Sequence, residues 1–325
     1  MNDTNKTIAA SPAGFADYIR LARLDHVTKH VFVIPGIVLA LVLRGAVNDN
    51  LAMQVMLGAV VALTIASANY VINEWLDRDF DRHHPTKSAR VSVQVPLNPS
   101  MVYALYFALL AVGLIAAYSA SWAMFGVALL FGSQGIVYNV PPLRSKDRAF
   151  IDVLSEAVNN PFRLMIGWAI IDATTLPPGS VIVAYWFGGA FLMTAKRLSE
   201  YREIVASHGL DLLTMYRKSF RGYTETSLVQ ACFAYALLST ALFSIFLIKY
   251  RVEYLLVLPF LVQLFCVYLG LTLRPESVAQ APEKLFKDKR LVTSAFLFVV
   301  ALTIFTFVTV PRLELLTEAN YIQLP

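Results

Sequence analysis

The sequence predicts an all-α, polytopic membrane protein with nine transmembrane helices and a cytoplasmic N-terminus. Of its 325 residues, 57% are hydrophobic and only 15% are charged, with a mean hydropathy of +0.60. A soluble domain usually has about 25% charged residues, so lipid must cover part of this apolar surface. Nine apolar stretches approach the roughly 20 residues that a spanning helix needs. Lysine and arginine are concentrated in alternate loops, which sets the orientation.

The nine predicted spans cover residues 27–44, 51–72, 101–119, 122–138, 152–171, 180–195, 226–248, 254–273 and 291–310. The first span is the weakest, because it contains Pro35 and Gly36 and has Lys29 near its start. Only Ala120 and Ser121 separate the third span from the fourth, which predicts a tight helical hairpin.

The distribution of positive charge predicts which loops are cytoplasmic. Most of the 27 lysines and arginines lie in the N-terminal segment and in the loops 73–100, 139–151, 196–225 and 274–290. The opposite side has only a few: Arg44, Lys249, Arg251 and Arg312. The long loops that are rich in lysine and arginine are therefore predicted to be cytoplasmic. Because the basic residues do not form one soluble face, nucleic acid is not an expected partner.

The N-terminal residues and the two cysteines bear on signal peptides, disulfides and zinc sites. Residues 1–14 are polar and lack the apolar core of a signal peptide, so they are predicted to form a flexible tail. Residues 15–26 are predicted to form a basic amphipathic helix on the inner membrane surface. Cys232 and Cys266 both lie in apolar runs, which indicates neither a disulfide framework nor a zinc site.

The most informative segment follows the second span. Four polar residues recur there every four positions: Asn69, Asn73, Asp77 and Asp81. Each step turns about 40° past a full turn and climbs roughly 6 Å, so these side chains form one helical stripe. Two carboxylates one turn apart repel each other unless a cation lies between them, and magnesium bridged to a substrate diphosphate suits such oxygens. The alternative is a solvated helix end, but asparagines inside an apolar span are costly and usually functional. Glu74 and Asp79 are expected to point elsewhere.

A cationic run follows the stripe and includes Arg82, Lys87 and Arg90. Arginine offers a bidentate fork and lysine a point charge, so this run fits a ligand with several phosphates. His83 and His84 have no cysteine or histidine partners in sequence that would predict zinc. A loop hydrogen bond is the alternative to substrate contact for either histidine.

The pattern N-x3-D-x3-D at Asn73, Asp77 and Asp81 resembles the UbiA superfamily of intramembrane prenyltransferases. The resemblance covers essentially the whole chain and implies a UbiA-type helical bundle in which magnesium holds a substrate diphosphate. It also implies that residues 15–325 form a single transmembrane transferase domain.

Most members of that superfamily have a second motif, D-x3-D, after the sixth span. Here the segment 191–204 reads FLMTAKRLSEYREI, with Lys196, Arg197 and Glu200 and no aspartate pair. This KR-x2-E segment resembles one branch, the decaprenyl-phosphate phosphoribosyltransferases, as do DRHHPTKSAR, LTMYRKSFRGYT and VTKHVFVIPG. The alternative for Lys196 and Glu200 is a surface i,i+4 pair of little energetic consequence.

The branch implies magnesium-dependent transfer of a 5-phosphoribosyl group from phosphoribosyl diphosphate to a decaprenyl-type polyprenyl phosphate. Diphosphate would be released, in arabinan precursor synthesis at the bacterial inner membrane, with the site on the cytoplasmic side. The magnesium ligands implied are Asn73, Asp77 and Asp81. The substrate-binding residues predicted are Lys29, Arg82, Lys87, Arg90, Tyr138, Lys196, Arg197 and Glu200. Tyr138, in the segment YNVPPLRSK, is expected near the ribose or the diphosphate.

Two other functions stay open at the level of sequence. A UbiA-type prenyltransferase would move a prenyl group from its diphosphate to an aromatic or lipid acceptor, and the KR-x2-E segment argues against it. A transporter would need ionisable residues near the middle of the membrane, for which Arg163 is the candidate. Because the charges gather at one face, a reaction site is favoured over a conduction path. The sequence leaves open whether the chain forms a homo-oligomer.

Overall fold

The computed structural model of the chain describes residues 13–45, 50–274, 288–311 and 313. These residues are mainly helical and contain no β-strand. The predicted tail up to residue 12 and most of the predicted loop 274–290 lie outside the described residues.

The described residues form thirteen α-helices. In chain order they are α1 (Phe15–Leu21), α2 (Ile34–Arg44), α3 (Leu51–Asp81), α4 (Val91–Gln94), α5 (Pro99–Ala120), α6 (Trp122–Asn139), α7 (Ile151–Ala157), α8 (Asn159–Ile171), α9 (Gly179–His208), α10 (Leu210–Tyr216), α11 (Glu225–Tyr250), α12 (Leu258–Thr272) and α13 (Lys289–Phe307). A 3-10 segment, Leu24–Val33, precedes α2.

The chain divides into two compact units. Unit 1 comprises residues 1–148, 162–176 and 211–218, and therefore contains α1 to α6 and most of α8 and α10. Unit 2 comprises residues 149–161, 177–210 and 219–325, and contains α7, α9 and α11 to α13. That residues 15–325 form a single domain stays a prediction.

Five helical segments in the described part of the chain are long and apolar enough to cross a membrane. They are Leu51–Asp81, Pro99–Ala120, Glu225–Tyr250, Val252–Thr272 and Lys289–Phe307. Such a set indicates a multi-pass membrane protein. The other predicted spans also coincide with helical segments, but the number of nine spans and the cytoplasmic N-terminus stay predictions.

The N-terminal helix is shorter than predicted. The sequence predicts a helix over 15–26, whereas α1 ends at Leu21 and Arg23 adopts a positive φ of 49° before the 3-10 segment begins. Phe15 is exposed, while Tyr18 and Leu21 are buried in a core cluster of unit 1. The buried members of that cluster are Tyr18, Leu21, Ala22, Ala68, Val71, Ile72, Trp75, Leu97, Val102 and Tyr106. The apolar face of α1 therefore packs against the protein.

A single residue, Ser121, connects α5 to α6. Its backbone is extended, with φ −174° and ψ 161°, and its Oγ accepts a hydrogen bond from the Met124 amide at 3.0 Å. This N-cap satisfies one of the free amides that begin a helix. The predicted tight hairpin is confirmed.

In unit 1, α8 meets α2 and the end of the 3-10 segment through two glycines. A Cβ on Gly36 would overlap the Leu164 carbonyl, and a Cβ on Gly167 would overlap the Val33 carbonyl. The two backbones can approach this closely only because neither position has a side chain. This contact fixes the 3-10 segment against α8.

Replacing Gly167 by alanine is expected to destabilise the protein by about 1–3 kcal/mol, because overpacking forces the two backbones apart. Thermal unfolding in detergent measures the loss. Gly126→Ala in α6 is the matched control, since a Cβ there meets open space. We expect the control to be neutral or to stabilise by up to about 1 kcal/mol. Equal melting of the two variants would contradict the close approach.

Helix α9 is the centre of unit 2. Ser239 of α11 donates a hydrogen bond through Oγ to the Ala184 carbonyl at 2.9 Å, and the Phe191 ring lies 4.8 Å from the Phe265 ring of α12. The sequence predicts a loop from residue 196, but α9 continues to His208. Buried residues Thr194, Ala195 and Leu198 keep the helical spacing, so the charged segment remains helical.

Candidate functional site

Helix α3 extends beyond the predicted second span and carries the predicted stripe. Because α3 is continuous to Asp81, the side chains of Asn73, Asp77 and Asp81 follow one another along one line of the helix. Asp81 is buried, and the Asp77 side chain is only 19% exposed. The two carboxylates therefore need partners.

Asp77 is held by two cations from the segment that follows α6. The Lys146 Nζ lies 2.5 Å and the Arg144 Nη2 lies 2.8 Å from Asp77 Oδ1. Lys146 itself is buried. Burial lowers the pKa of the Lys146 ammonium to about 8, although the Asp77 carboxylate opposes this change.

An amide pair links the stripe to the end of α6. Asn73 Nδ2 donates to Asn139 Oδ1 at 2.6 Å, and Lys146 Nζ donates to the same oxygen at 2.7 Å. Asn139 Nδ2 in turn donates to the Gly135 carbonyl at 2.8 Å. Since the Asn73 amide donates through nitrogen, its Oδ1 is an acceptor that a cation can use. The network orients Asn73 along the stripe.

Asp81 pairs with Arg90, whose Nη1 lies 2.6 Å from Asp81 Oδ2. The chain between them turns around His84, whose Nδ1 accepts hydrogen bonds from the Thr86 and Lys87 amides at 3.2 Å. This loop hydrogen bond is one of the two roles that the sequence leaves open for His84. The fold-back brings Arg90 beside the stripe.

The region around α10 adds further groups to the same unit. Arg217 Nη2 donates to the Tyr138 hydroxyl at 2.9 Å, and the Arg217 charge acts on both Asp77 and Lys146. Lys218 pairs with Asp147 at 3.5 Å, and Asp147 also pairs with Arg144 at 3.2 Å. Tyr138 thus lies close to the cationic side of the stripe. That it contacts the substrate stays a prediction.

Three predicted residues of unit 1 lie outside this cluster or at its edge. The Arg82 side chain is 60% exposed and lies 3.9 Å from the exposed Asp79, so it does not join Asp77. Lys29 Nζ lies 5.1 Å from the centre of the Tyr70 ring, and Tyr70 precedes Asp77 by about two turns of α3. Lys87 Nζ lies 5.7 Å from the centre of the Tyr216 ring.

Glu74, the acid of α3 that the sequence places away from the stripe, is buried and lies 3.8 Å from Arg23. Ser92 Oγ also donates to Glu74 at 3.4 Å. Both Glu74 and Asp79 therefore point away from the stripe towards other partners.

The KR-x2-E segment lies in unit 2, where Arg197 is buried among acids. Its guanidinium lies 3.3 Å from Asp152, 2.9 Å from Glu156 and 3.2 Å from Glu200. Asp152 also accepts hydrogen bonds from the hydroxyls of Ser219 and Tyr223, which joins three segments of unit 2. That Lys196, Arg197 and Glu200 bind substrate stays a prediction.

Replacing Arg197 by methionine is expected to destabilise the protein by about 3–5 kcal/mol, because three buried or half-buried carboxylates lose their cation. Thermal unfolding of the purified variant measures the loss. Arg202→Met is the control: Arg202 pairs with Glu225 at a more exposed position of the same helix, and such pairs contribute at most about 1 kcal/mol. Similar losses in both variants would contradict a structural role for the Arg197 network.

The donor set of the stripe fits a magnesium ion that also binds a substrate. In the described residues no three histidine, cysteine, aspartate or glutamate side chains gather as a metal cluster. Asp77, Asp81 and Asn73 offer hard oxygen atoms, which are too few to complete an octahedral shell. Magnesium typically binds one or two carboxylates and takes its remaining ligands from substrate phosphates and water.

Sequence reasoning missed four residues of the cluster: Asn139, Arg144, Lys146 and Arg217. All four lie in or beside YNVPPLRSK and LTMYRKSFRGYT, which were singled out for other residues or for resemblance alone. The cationic character of these two segments was the available signal. Their contacts with the stripe and with Tyr138 join residues that are 66 or more positions apart in sequence, so no local spacing predicts the pairs.

Comparisons with known proteins agree with this architecture. Residues 31–287 match the sequence profile of the UbiA prenyltransferase family. The fold is similar to that of a UbiA homolog from Archaeoglobus fulgidus bound to DMAPP and Mg²⁺, with a TM-score of 0.67 and 19% identity over 90% of this chain and 100% of that one. The same homolog bound to GPP and Mg²⁺ gives 0.67 and 20% over 89% and 99%.

An apo UbiA homolog from Aeropyrum pernix K1 is also similar, with a TM-score of 0.56 and 15% identity over 87% of this chain and 98% of that one. No curated protein sequence matches the chain. The profile match covers well over half of the chain, and the similar structures share its fold. The chain belongs to the UbiA prenyltransferase family.

Proposed function

We propose that this chain transfers a 5-phosphoribosyl group from phosphoribosyl diphosphate to a polyprenyl phosphate and releases diphosphate. Asp77, Asp81 and Asn73 would hold Mg²⁺ against the donor's diphosphate. Bound Mg²⁺ would supply charge neutralisation for the departing diphosphate. The active site would face the cytoplasm of a bacterial cell.

The observation that carries this proposal is the excess of positive charge around the stripe in unit 1. Five cations lie on or near three carboxylates there: Arg90, Arg144, Lys146, Arg217 and Lys218 around Asp77, Asp81 and Asp147. A prenyl diphosphate has no anionic group besides its diphosphate. The 5-phosphate of phosphoribosyl diphosphate adds a charge of about −1.5 to −2, which such an excess can balance.

In the reaction, an anionic oxygen of the polyprenyl phosphate attacks C1 of the ribose, and the bond from C1 to the diphosphate oxygen breaks. The diphosphate leaves with the electron pair, while Lys146 and Arg144 remain to balance its charge. Groups fixed where negative charge develops usually make the largest contribution to catalysis. The nucleophile is already ionised, so the chain needs no strong general base.

Prenyl transfer is the second candidate, and the A. fulgidus homolog solved with DMAPP or GPP favours it. The segment 191–204 argues against it, because it has no aspartate pair for a second metal. Arg197 lies there instead, within the carboxylate network of unit 2.

The test incubates purified protein with Mg²⁺, labelled phosphoribosyl diphosphate and polyprenyl phosphate, and looks for a labelled lipid. A parallel reaction contains a prenyl diphosphate and 4-hydroxybenzoate. We expect product in the first reaction, with none when the divalent ion is chelated. Product in the parallel reaction alone would establish prenyl transfer instead.

A further inference from the structure

Unit 1 contains a second group of polar side chains, set among apolar residues. Its centre is Arg163 in α8, which is 5% exposed and has buried apolar neighbours at Phe162, Leu164 and Ile166. The guanidinium lies 5.3 Å from the centre of the Phe131 ring of α6. An ionisable residue among apolar residues of a membrane protein is costly and is usually functional.

The close packing of α8 brings the 3-10 segment, which contains Lys29 and His30, beside Arg163. Gly167, one turn after Arg163, faces the Val33 carbonyl, and His30 precedes Val33 by three residues in the 3-10 segment. The charges of Arg163 and Lys29 both act on the buried His30 imidazole. Two cations within electrostatic reach of one imidazole would be stabilised by a bound anion.

A buried nitrogen of this group also needs a ligand. In the described part of the chain, His30 Nδ1 is buried and has no hydrogen-bond partner. Such an unsatisfied atom costs about 1–3 kcal/mol. An anionic ligand would accept a hydrogen bond from this nitrogen.

The separation from the carboxylate stripe fits a two-substrate site. Tyr70, whose ring centre lies 5.1 Å from Lys29 Nζ, precedes Asp77 by seven residues on α3. At 1.5 Å per residue this is about 10 Å along the helix axis. The acceptor phosphate and the departing diphosphate lie on opposite sides of ribose C1 during transfer, so the reaction needs two separate anion sites.

We infer that Arg163 and His30, together with Lys29, form a second anion subsite that binds the phosphate of the polyprenyl acceptor. This inference rests on the proposed function, in which that phosphate is the nucleophile. Arg163 and His30 donate to the phosphate oxygens.

The test measures the binding of farnesyl phosphate, a short polyprenyl phosphate, to full-length protein in detergent without donor. Arg163→Gln is expected to weaken it about 10–100-fold, because a hydrogen bond to a charged group is lost. The affinity for phosphoribosyl diphosphate with Mg²⁺ should change less than about 3-fold, since the donor would be held at Asp77 and not at Arg163. Arg163→Lys, which keeps the charge, should recover part of the farnesyl phosphate affinity. Arg251→Gln in unit 2 is the control for loss of an arginine and should bind both ligands like the wild type.

Three results of the binding experiment would overturn the inference: farnesyl phosphate does not bind the wild type, it binds Arg163→Gln equally well, or Arg163→Gln weakens both ligands equally. If Arg163→Gln does not fold, His30→Leu replaces it, with an expected loss of about tenfold.

The proposed function is tested separately. Selective loss of farnesyl phosphate binding in a protein that transfers no phosphoribosyl group would support the subsite and reject the function. Normal transfer with an unchanged acceptor KM in Arg163→Gln would reject the subsite alone.

Discussion

Replacing Asp77 by asparagine is expected to lower the rate of group transfer by about 10²–10³-fold. The amide has the same size but lacks the charge that would hold Mg²⁺ and that balances Arg144 and Lys146. Without that charge, Asp77 can no longer hold the Mg²⁺ that would bind the substrate diphosphate. Initial rates of labelled-lipid formation, measured over a range of Mg²⁺ concentrations, would test this.

Asp79→Asn is the matched control, because it makes the same chemical change on the same helix. The Asp79 side chain is 67% exposed and lies 3.9 Å from Arg82, which is also exposed. Its turnover should stay within about twofold of the wild type, since exposed ion pairs contribute little. The metal role of Asp77 would be wrong if Asp77→Asn kept near-normal turnover, or if both variants lost it equally.

The stripe itself could be predicted from sequence because its geometry is local. A four-residue spacing fixes the relative direction of side chains wherever a helix is continuous, and α3 is continuous from Leu51 to Asp81. The same holds for the hairpin at Ser121, where two apolar stretches leave no room for a longer connection. Local spacing therefore predicted the acidic half of the site.

The cationic half could not be predicted in the same way. Asp77 pairs with Arg144 across 67 positions of sequence, and Arg217 reaches Tyr138 across 79. Several cations of the predicted loops carry the same charge, and only tertiary packing selects among them. The prediction that Arg82 binds substrate illustrates this. Arg82 is adjacent to the stripe in sequence, yet its side chain is exposed and turned towards Asp79.

The continuation of α9 beyond residue 195 was not predicted, for a related reason. Lys196, Arg197, Glu200 and Glu203 indicate a solvated segment when each charge is taken alone. In unit 2, however, Asp152 and Glu156 of α7 compensate Arg197, so the charges can be buried and α9 continues. Charge indicates exposure only when no partner is available, and sequence does not show the partner.

Replacing Lys146 by methionine is expected to lower kcat/KM for the donor by about 10²-fold. Methionine fills similar space but removes the ammonium that lies 2.5 Å from Asp77 and 2.7 Å from the Asn139 oxygen. That charge would otherwise balance the departing diphosphate. Steady-state kinetics with varied phosphoribosyl diphosphate measure the effect, and Lys249→Met, at an exposed position of unit 2, should match the wild type.

The double variant Asp77→Asn/Lys146→Met separates stability from catalysis. Asp77→Asn alone leaves the buried Lys146 and the nearby Arg144 without their shared anion, which costs up to about 3–5 kcal/mol. Removing the ammonium as well relieves much of that penalty, because Asp147 still pairs with Arg144 at 3.2 Å. We therefore expect the double variant to unfold at a higher temperature than Asp77→Asn yet to remain as inactive.

If the double variant regained activity together with stability, the two residues would serve only to hold the fold. If it melted no higher than Asp77→Asn, the charge pair would not be the source of the instability.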